Sequence, residues 1–530
     1  MDAGAGFFES GLSADQIGWL GRYDTFDYLV GRLTQSAIDA FMVGKGWTMV
    51  GPSQSATGYR RSTAHARGKG VNATTFETCT RPGPDGWGGG RVTTVTTLNG
   101  AEQDREESTV SFDSVRDDIK GVVARFADCP DPSSSADIAI IYDALACHLV
   151  AGDGGSLTAA LRLIETASEV LTGNTAETYK RNFLLSIGKV LDNYSAFGKL
   201  IGHLMATQSG MWAAVRANTV GMLIKSRMKF DDVAQRGPTG YNYAGMVKVI
   251  DIALGVAGIF APKPVDKGIK LVVLAFDQVS GGEPGTVGSA ATYDQVLDRV
   301  LMAGLGSIAK QVKDLEAKIK NNAVTNLEKI AYNDDVVRSL FELPNPGSLD
   351  LSDEPDIATD LDAVTRIRGH MKSIVEEIGG YVRAGRDVND GMTRAVVRST
   401  DLGDWHFGPG PLMQELGDMF CDILTRLKNQ VDLSADNLYN ACMVLLSKDE
   451  EYAAQVAASA AGLEALDSPN GYADPWRYSK DPEPSPADRA LVIPDMWRMW
   501  VPAPTSPILS APPDAQHTDF QAVVPEFEKK

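Results

Sequence analysis

Between Asn174 and Gly237 the chain runs through apolar and polar residues without a single proline. No other stretch limits the available folds so tightly. Proline ends helices because it lacks a donor and its ring collides with the preceding turn, so a run without it and with apolar residues recurring near every third or fourth position reads as helix. Its length then has to be accommodated. A pattern this long exceeds the helices of ordinary globular proteins. The expectation is therefore one very long helix or, preferred, an antiparallel hairpin bent near Ser209–Gly210 with Trp212 beside the bend.

Ahead of this run the periodicity changes. Phe26, Leu29, Val30, Leu33, Ile38, Phe41 and Met42 place a helix over Asp24 to Met42. Five short segments rich in β-branched and aromatic residues follow, as strands require. They are WTMVG from Trp47, ATGYRRSTA to Ala64, ATTFETCT to Thr80, RVTTVTTLN from Arg91 and STVSFDS from Ser108. Arg81 to Arg91, dense in Gly and Pro, reads as a long hairpin loop without the Lys and Ser/Thr order of a phosphate loop. A helix from Val115 closes a two-layer domain over residues 1–130, and the Pro and Ser residues of Cys129 to Asp137 mark a linker.

Residues 131–343 read as a long-helix bundle. Within it, two apolar arms, Met246 to Phe260 and Asp266 to Val279, flank a proline bend and form an apolar hairpin. Each arm is too short to span a bilayer and carries Lys248, Asp251, Asp266, Lys267 and Lys270 between them, so burial in the bundle is preferred over membrane contact through 246–279. From Thr292 onward Leu301, Leu305, Ile308, Val312, Leu315 and Ile319 step by four and three, the spacing of a coiled-coil seam, used within the bundle or for self-association.

Residues 344–466 form a second helical block. One apolar face runs through Leu361, Val364, Ile367, Met371, Ile374, Ile378 and Val382, and another through Leu412, Leu416, Met419, Ile423 and Leu427. Ser434 is placed as an N-cap and Ala453 to Leu466 as a final helix. Residues 467–530 mix proline with polar residues and three tryptophans, Trp476, Trp497 and Trp500, the composition of an extended tail. The fold class is thus mainly α: an N-terminal two-layer α+β domain (antiparallel meander plus helices), then a long-helix bundle and a second helical block.

Motifs for chemistry are missing. A net charge of −19 opposes contact with phosphates, so nucleic acid is excluded as a partner. The five cysteines, Cys79, Cys129, Cys147, Cys421 and Cys442, have no CxxC spacing, and the six histidines no HExxH or HxH pattern. No catalytic, metal or cofactor residues are therefore assigned, and no cofactor is expected. The adjacent Cys147 and His148 would point about 100° apart on a helix and are read as packing residues. The N-terminus lacks a basic and then apolar leader, so export would use a route independent of a cleaved Sec signal.

The block from Ile357 to Leu466, with DWHFG at Asp404 to Gly408 between its helices, resembles the helix, tryptophan turn, helix arrangement of actinobacterial WXG100-type proteins exported by type VII (ESX) secretion systems. Here Trp405 and Gly408 are separated by two residues. The long helical segment with GMW at Gly210 to Trp212 is similar to the hairpin of larger type VII substrates. A Y-x-x-x-D/E spacing, the family's export signal, occurs at Tyr23 to Asp27 and not after the hairpin, where Tyr439 precedes Met443 and Tyr452 precedes Val456. The resemblance implies a secreted or surface-located binding or scaffolding protein, without catalysis, whose partners are secretion machinery or a second copy. Candidate contact residues are Trp212, Leu301, Leu305, Ile308, Trp405, Gly408, Trp497 and Trp500. A cytoplasmic location, a membrane-active helical protein and a phage or virus structural component stay open at this level.

Overall fold

The computed structural model describes residues 14–51, 56–66, 72–151, 155–172, 177, 179–236, 292–331, 340–343 and 361–447. The expected apolar hairpin at 246–279, the helix from Ala453 and the tail with Trp476, Trp497 and Trp500 lie outside the described residues. The fold is mainly helical, with an N-terminal five-stranded antiparallel sheet followed by long packed helices.

Two helices open it, α1 (Ala14–Leu20) and α2 (Phe26–Gly44). The sheet is a simple meander, β1 (Thr48–Val50), β2 (Gly58–Ala66), β3 (Asn72–Thr80), β4 (Arg91–Leu98) and β5 (Ala101–Thr109), each strand antiparallel to the next. One end of it is anchored to α2. Asp39, fully buried on α2, accepts a 2.6 Å hydrogen bond from the Tyr59 hydroxyl of β2 and pairs with Arg81 at the end of β3. The 81–91 loop then lies along α2, where Gln35 Nε2 donates to the Pro82 carbonyl at 2.8 Å.

The fifth strand differs from expectation. Residues from Ser108 onward do not start a strand; β5 is the charged run AEQDREEST, exposed at every position, and Phe112 leads into α3 (Asp113–Val123). An edge strand with no buried face leaves no alternation to read. The local signal is Asn99-Gly100, with φ of 51° and 86°, the doubly left-handed geometry of a two-residue hairpin turn. Gly100→Ala is expected to cost about 1 kcal/mol through that left-handed backbone, measurable as a lower urea midpoint at unchanged slope.

The expected linker is a helix start. Asp131 caps α4 (Pro132–His148), accepting from the Ser133 amide at 3.2 Å, and Pro132 occupies the first turn, where its missing N–H costs nothing. After α5 (Thr158–Ser168) comes the central element, α6 (Ser186–Arg236), a single helix of 51 residues and about 75 Å long. The hairpin at Ser209–Gly210 is not formed. Ser209 sits in mid-helix and donates to the Pro132 carbonyl at 2.7 Å, and the glycines of this run mark close approach instead of bends. A Cβ on Gly221 would fall 2.6 Å from the Trp19 ring of α1, and one on Gly202 would fall 3.3 Å from the Ala139 carbonyl of α4. Because α1, α2, α4 and later helices surround it, α6 is stabilised by packing along its length, and a bend would sacrifice those contacts.

The seam helix, α7 (Ala303–Ala331), is preceded by a helical turn capped by Thr292 and by a wider π-type turn, Leu297–Met302. It packs on α6 and on the last helix. Helices α8 (Leu361–Arg394) and α9 (Pro409–Ser447) pack along each other. Their cross-links run in opposite directions along the two helices: Lys372 to Asp432 at 2.6 Å, Arg386 to Asp422 at 3.0 Å, Thr393 to Gln414 at 2.6 Å. The pair is therefore antiparallel. Ser434 is not an N-cap; it is buried inside α9, which continues unbroken past it. The buried side chains form one continuous cluster from Tyr23 to Cys442, so a shared core crosses the boundaries drawn near residues 130 and 343. Among the described residues no helix is long and apolar enough to cross a membrane.

Candidate functional site

The connection between α8 and α9 joins a buried ion pair to partly exposed aromatic side chains. Arg398, which leaves α8 toward the turn, is wholly buried and pairs with Glu316 on α7, itself 8% exposed. The guanidinium also donates to the Val396 carbonyl at 3.0 Å and lies 5.0 Å from the centre of the Trp212 ring on α6. A cation over an indole face, away from water, is attracted by the ring quadrupole. Three elements distant in sequence thus meet at one charge.

A second link is made one helical turn further along α7. Lys320 Nζ donates to the Phe407 carbonyl at 3.1 Å, holding the far side of the turn. Glycine is required between the two links. Gly403 has φ of 113°, and a Cβ there would sit 3.2 Å from the Arg398 guanidinium and 3.4 Å from the Glu316 carboxylate. Beyond it Asp404 caps the short 3₁₀ turn Trp405–Phe407, accepting from the His406 amide at 3.0 Å and bonding the His406 ring at 2.9 Å. That bond holds the Asp404 carboxyl below its usual range.

The outcome is a rigid base with an aromatic tip. Trp405 is half-buried with the His406 ring stacked on it at 3.6 Å, while His406 is exposed and Phe407 is 48% exposed. Gly408 is buried under the turn; a Cβ there would lie 3.2 Å from the Trp405 carbonyl. The other candidate contact residues lie elsewhere. Trp212 is fully buried, and Leu301, Leu305 and Ile308 are buried to 2% or less within the seam, so all four are interior packing residues of the chain and offer no outer surface. Trp497 and Trp500 lie outside the described residues. The residues that reading by motif missed are Glu316, Lys320, Arg398 and Phe407. Their one local signal is the Glu316–Lys320 pair beside an apolar seam, a spacing that more often marks a solvated face.

A second polar cluster lies in the α8–α9 interface. Tyr142 of α4 donates to Asn389 Oδ1 at 2.5 Å, Asn389 donates to Asp418 at 2.8 Å, and Glu415 is buried close by with Asp422 and Arg386 at the rim. Burial pushes Glu415 up to about 8, with the Asp418 charge adding to the rise, and raises Asp418 and Asp422 in the same direction. Burial likewise pushes Glu316 up to about 7, opposed by Arg398 and by the Gln208 amide of α6. A carboxyl that holds its proton more tightly when folded adds stability that is complete below its unfolded pKa and disappears as pH rises through its folded pKa. Lys320, lowered to about 8 by burial, has the opposite sense but acts above that pH. The melting temperature should therefore fall between pH 5 and pH 8, and Glu415→Gln should flatten part of that fall; equal pH dependence in both proteins would show that Glu415 does not contribute.

Among the described residues no group of His, Cys, Asp and Glu is arranged to hold a metal ion. His148 stacks on Tyr381 at 5.7 Å, and Cys147 beside it is exposed. Tyr23, of the Tyr23–Asp27 spacing, is buried and bonded to the Phe126 carbonyl. The buried charges Arg398, Glu316 and Lys320 hold the turn, and its outward surface combines Phe407 and part of Trp405 with the exposed Asp404–His406 pair. Comparison with protein-family models, with curated proteins and with solved structures gives no match to this chain.

Proposed function

We propose that the chain is a non-enzymatic binding or scaffolding protein associated with type VII secretion and exported by that system. The observation that carries this reading is the antiparallel pair α8 and α9 with Trp405 and Phe407 held outward at their connection by a buried ion pair. Aromatic side chains on a rigid turn make efficient contact points, because they offer a large area at little cost in conformational entropy. The partner is a component of the secretion machinery or a second copy of the chain.

The test is the distribution of the tagged chain between cells and medium in an actinobacterial host with an intact or a disabled type VII system. The wild-type chain is expected in the medium only when the system is intact. Trp405→Ala combined with Phe407→Ala should stay in the cell while folding normally, since truncating partly exposed side chains costs about 1–2 kcal/mol in total. An unchanged distribution when the system is disabled would overturn the proposal.

A further inference from the structure

Strand β5 is the outer strand of the sheet, and all nine of its residues are exposed. Its pairing with β4 runs without interruption from Arg91↔Thr109 to Thr96↔Asp104, and the extra residue that shifts the register, Gln103, lies beyond that run. Residues 104–109 therefore present a regular strand whose outer backbone donors and acceptors have no neighbouring strand among the described residues. The side chains alternate across it. On one face Arg105 pairs with Glu102 at 3.4 Å and Glu107 pairs with Arg91 at 2.6 Å, so the charges there are matched. On the other face Asp104 and Glu106 stand two residues apart beside Thr96 and Thr94, and neither makes an ion pair among the described residues.

We infer that β5 accepts an extended segment of a basic partner protein as a sixth strand, with Lys or Arg at alternate positions facing Asp104 and Glu106. Main-chain hydrogen bonds along the open edge supply the affinity and the alternate carboxylates the choice of partner, as in other cases of strand addition. A second copy of β5 does not fit. Pairing it with itself would place Asp104 and Glu106 of both copies together, between chains that each carry a net charge of −19. The bulge at Gln103 limits the segment to the stretch opposite residues 104–109.

The experiment uses the full chain and a fluorescent peptide of alternating Lys and Thr, with binding followed by anisotropy at moderate salt. Saturable binding is expected, at least about tenfold weaker for the same peptide with Glu in place of Lys. Asp104→Lys combined with Glu106→Lys should reverse the preference, and circular dichroism shows whether that variant keeps its fold. Two further Lys peptides, N-methylated at the odd or at the even backbone positions, separate strand pairing from attraction to an acidic surface. One of them should lose binding by about tenfold or more, because only alternate amides face the β5 edge. No saturable binding of the Lys peptide, or full binding by both methylated peptides, would overturn the inference.

Discussion

Arg398→Met is expected to destabilise the chain by about 3–5 kcal/mol at pH 8, the usual cost of removing one partner from a buried ion pair. Arg398 is fully buried, and its loss leaves the Glu316 carboxylate without its ion-pair partner. The loss should shrink toward pH 5, where that carboxyl takes up a proton and no longer has to be ionised in the interior. Pairing the change with Glu316→Leu should recover much of the stability at pH 8, since an apolar pair of similar volume carries no desolvation cost. Urea titrations of the three proteins at both pH values check this. A loss below about 1 kcal/mol for Arg398→Met at pH 8 would mean that water reaches the pair.

Leu305→Asp combined with Ile308→Asp should have a larger effect still. Both side chains are buried to 2% or less in the seam of α7. Two carboxylates in that position must either stay ionised without partners or bind protons, and a loss exceeding about 5 kcal/mol follows, enough to unfold a domain of ordinary stability. Thermal melting followed by circular dichroism, with light scattering for size, measures it. A chain that keeps its melting temperature but loses an oligomer would place the seam between copies.

Periodicity made the two faces of the α8–α9 pair and the α7 seam readable, because each depends on spacing within one helix: Val364 through Val382, Leu412 through Leu427 and Leu301 through Ile319 are buried at the expected intervals. Three misreadings share a different cause. Gly210, Ser434 and Pro132 are local signals for a bend, a cap and a linker, and tertiary contacts or position within the helix gave each another role. Gly210 lies inside a helix packed from several sides, Ser434 is buried in α9, and Pro132 sits in the first turn of α4, where proline is tolerated. Strand β5 was hidden because none of its residues is buried. The core of the candidate site could not be read from spacing at all. Glu316 and Arg398 stand 82 residues apart, and Trp212 comes from a third helix. Only the fold brings them together, whereas Trp405 stood out as an aromatic residue in a polar, glycine-containing turn.

The claim that the turn at Trp405–Phe407 is the contact surface is tested most directly by placing a photo-crosslinking residue there. Substituted for Phe407, it should yield a discrete adduct with one partner in actinobacterial cells that carry an active type VII system. Substituted for Met228, which is 59% exposed on α6 and remote in sequence from the turn, it should not yield that adduct. No adduct from position 407, or the same adducts from both positions, would contradict the account.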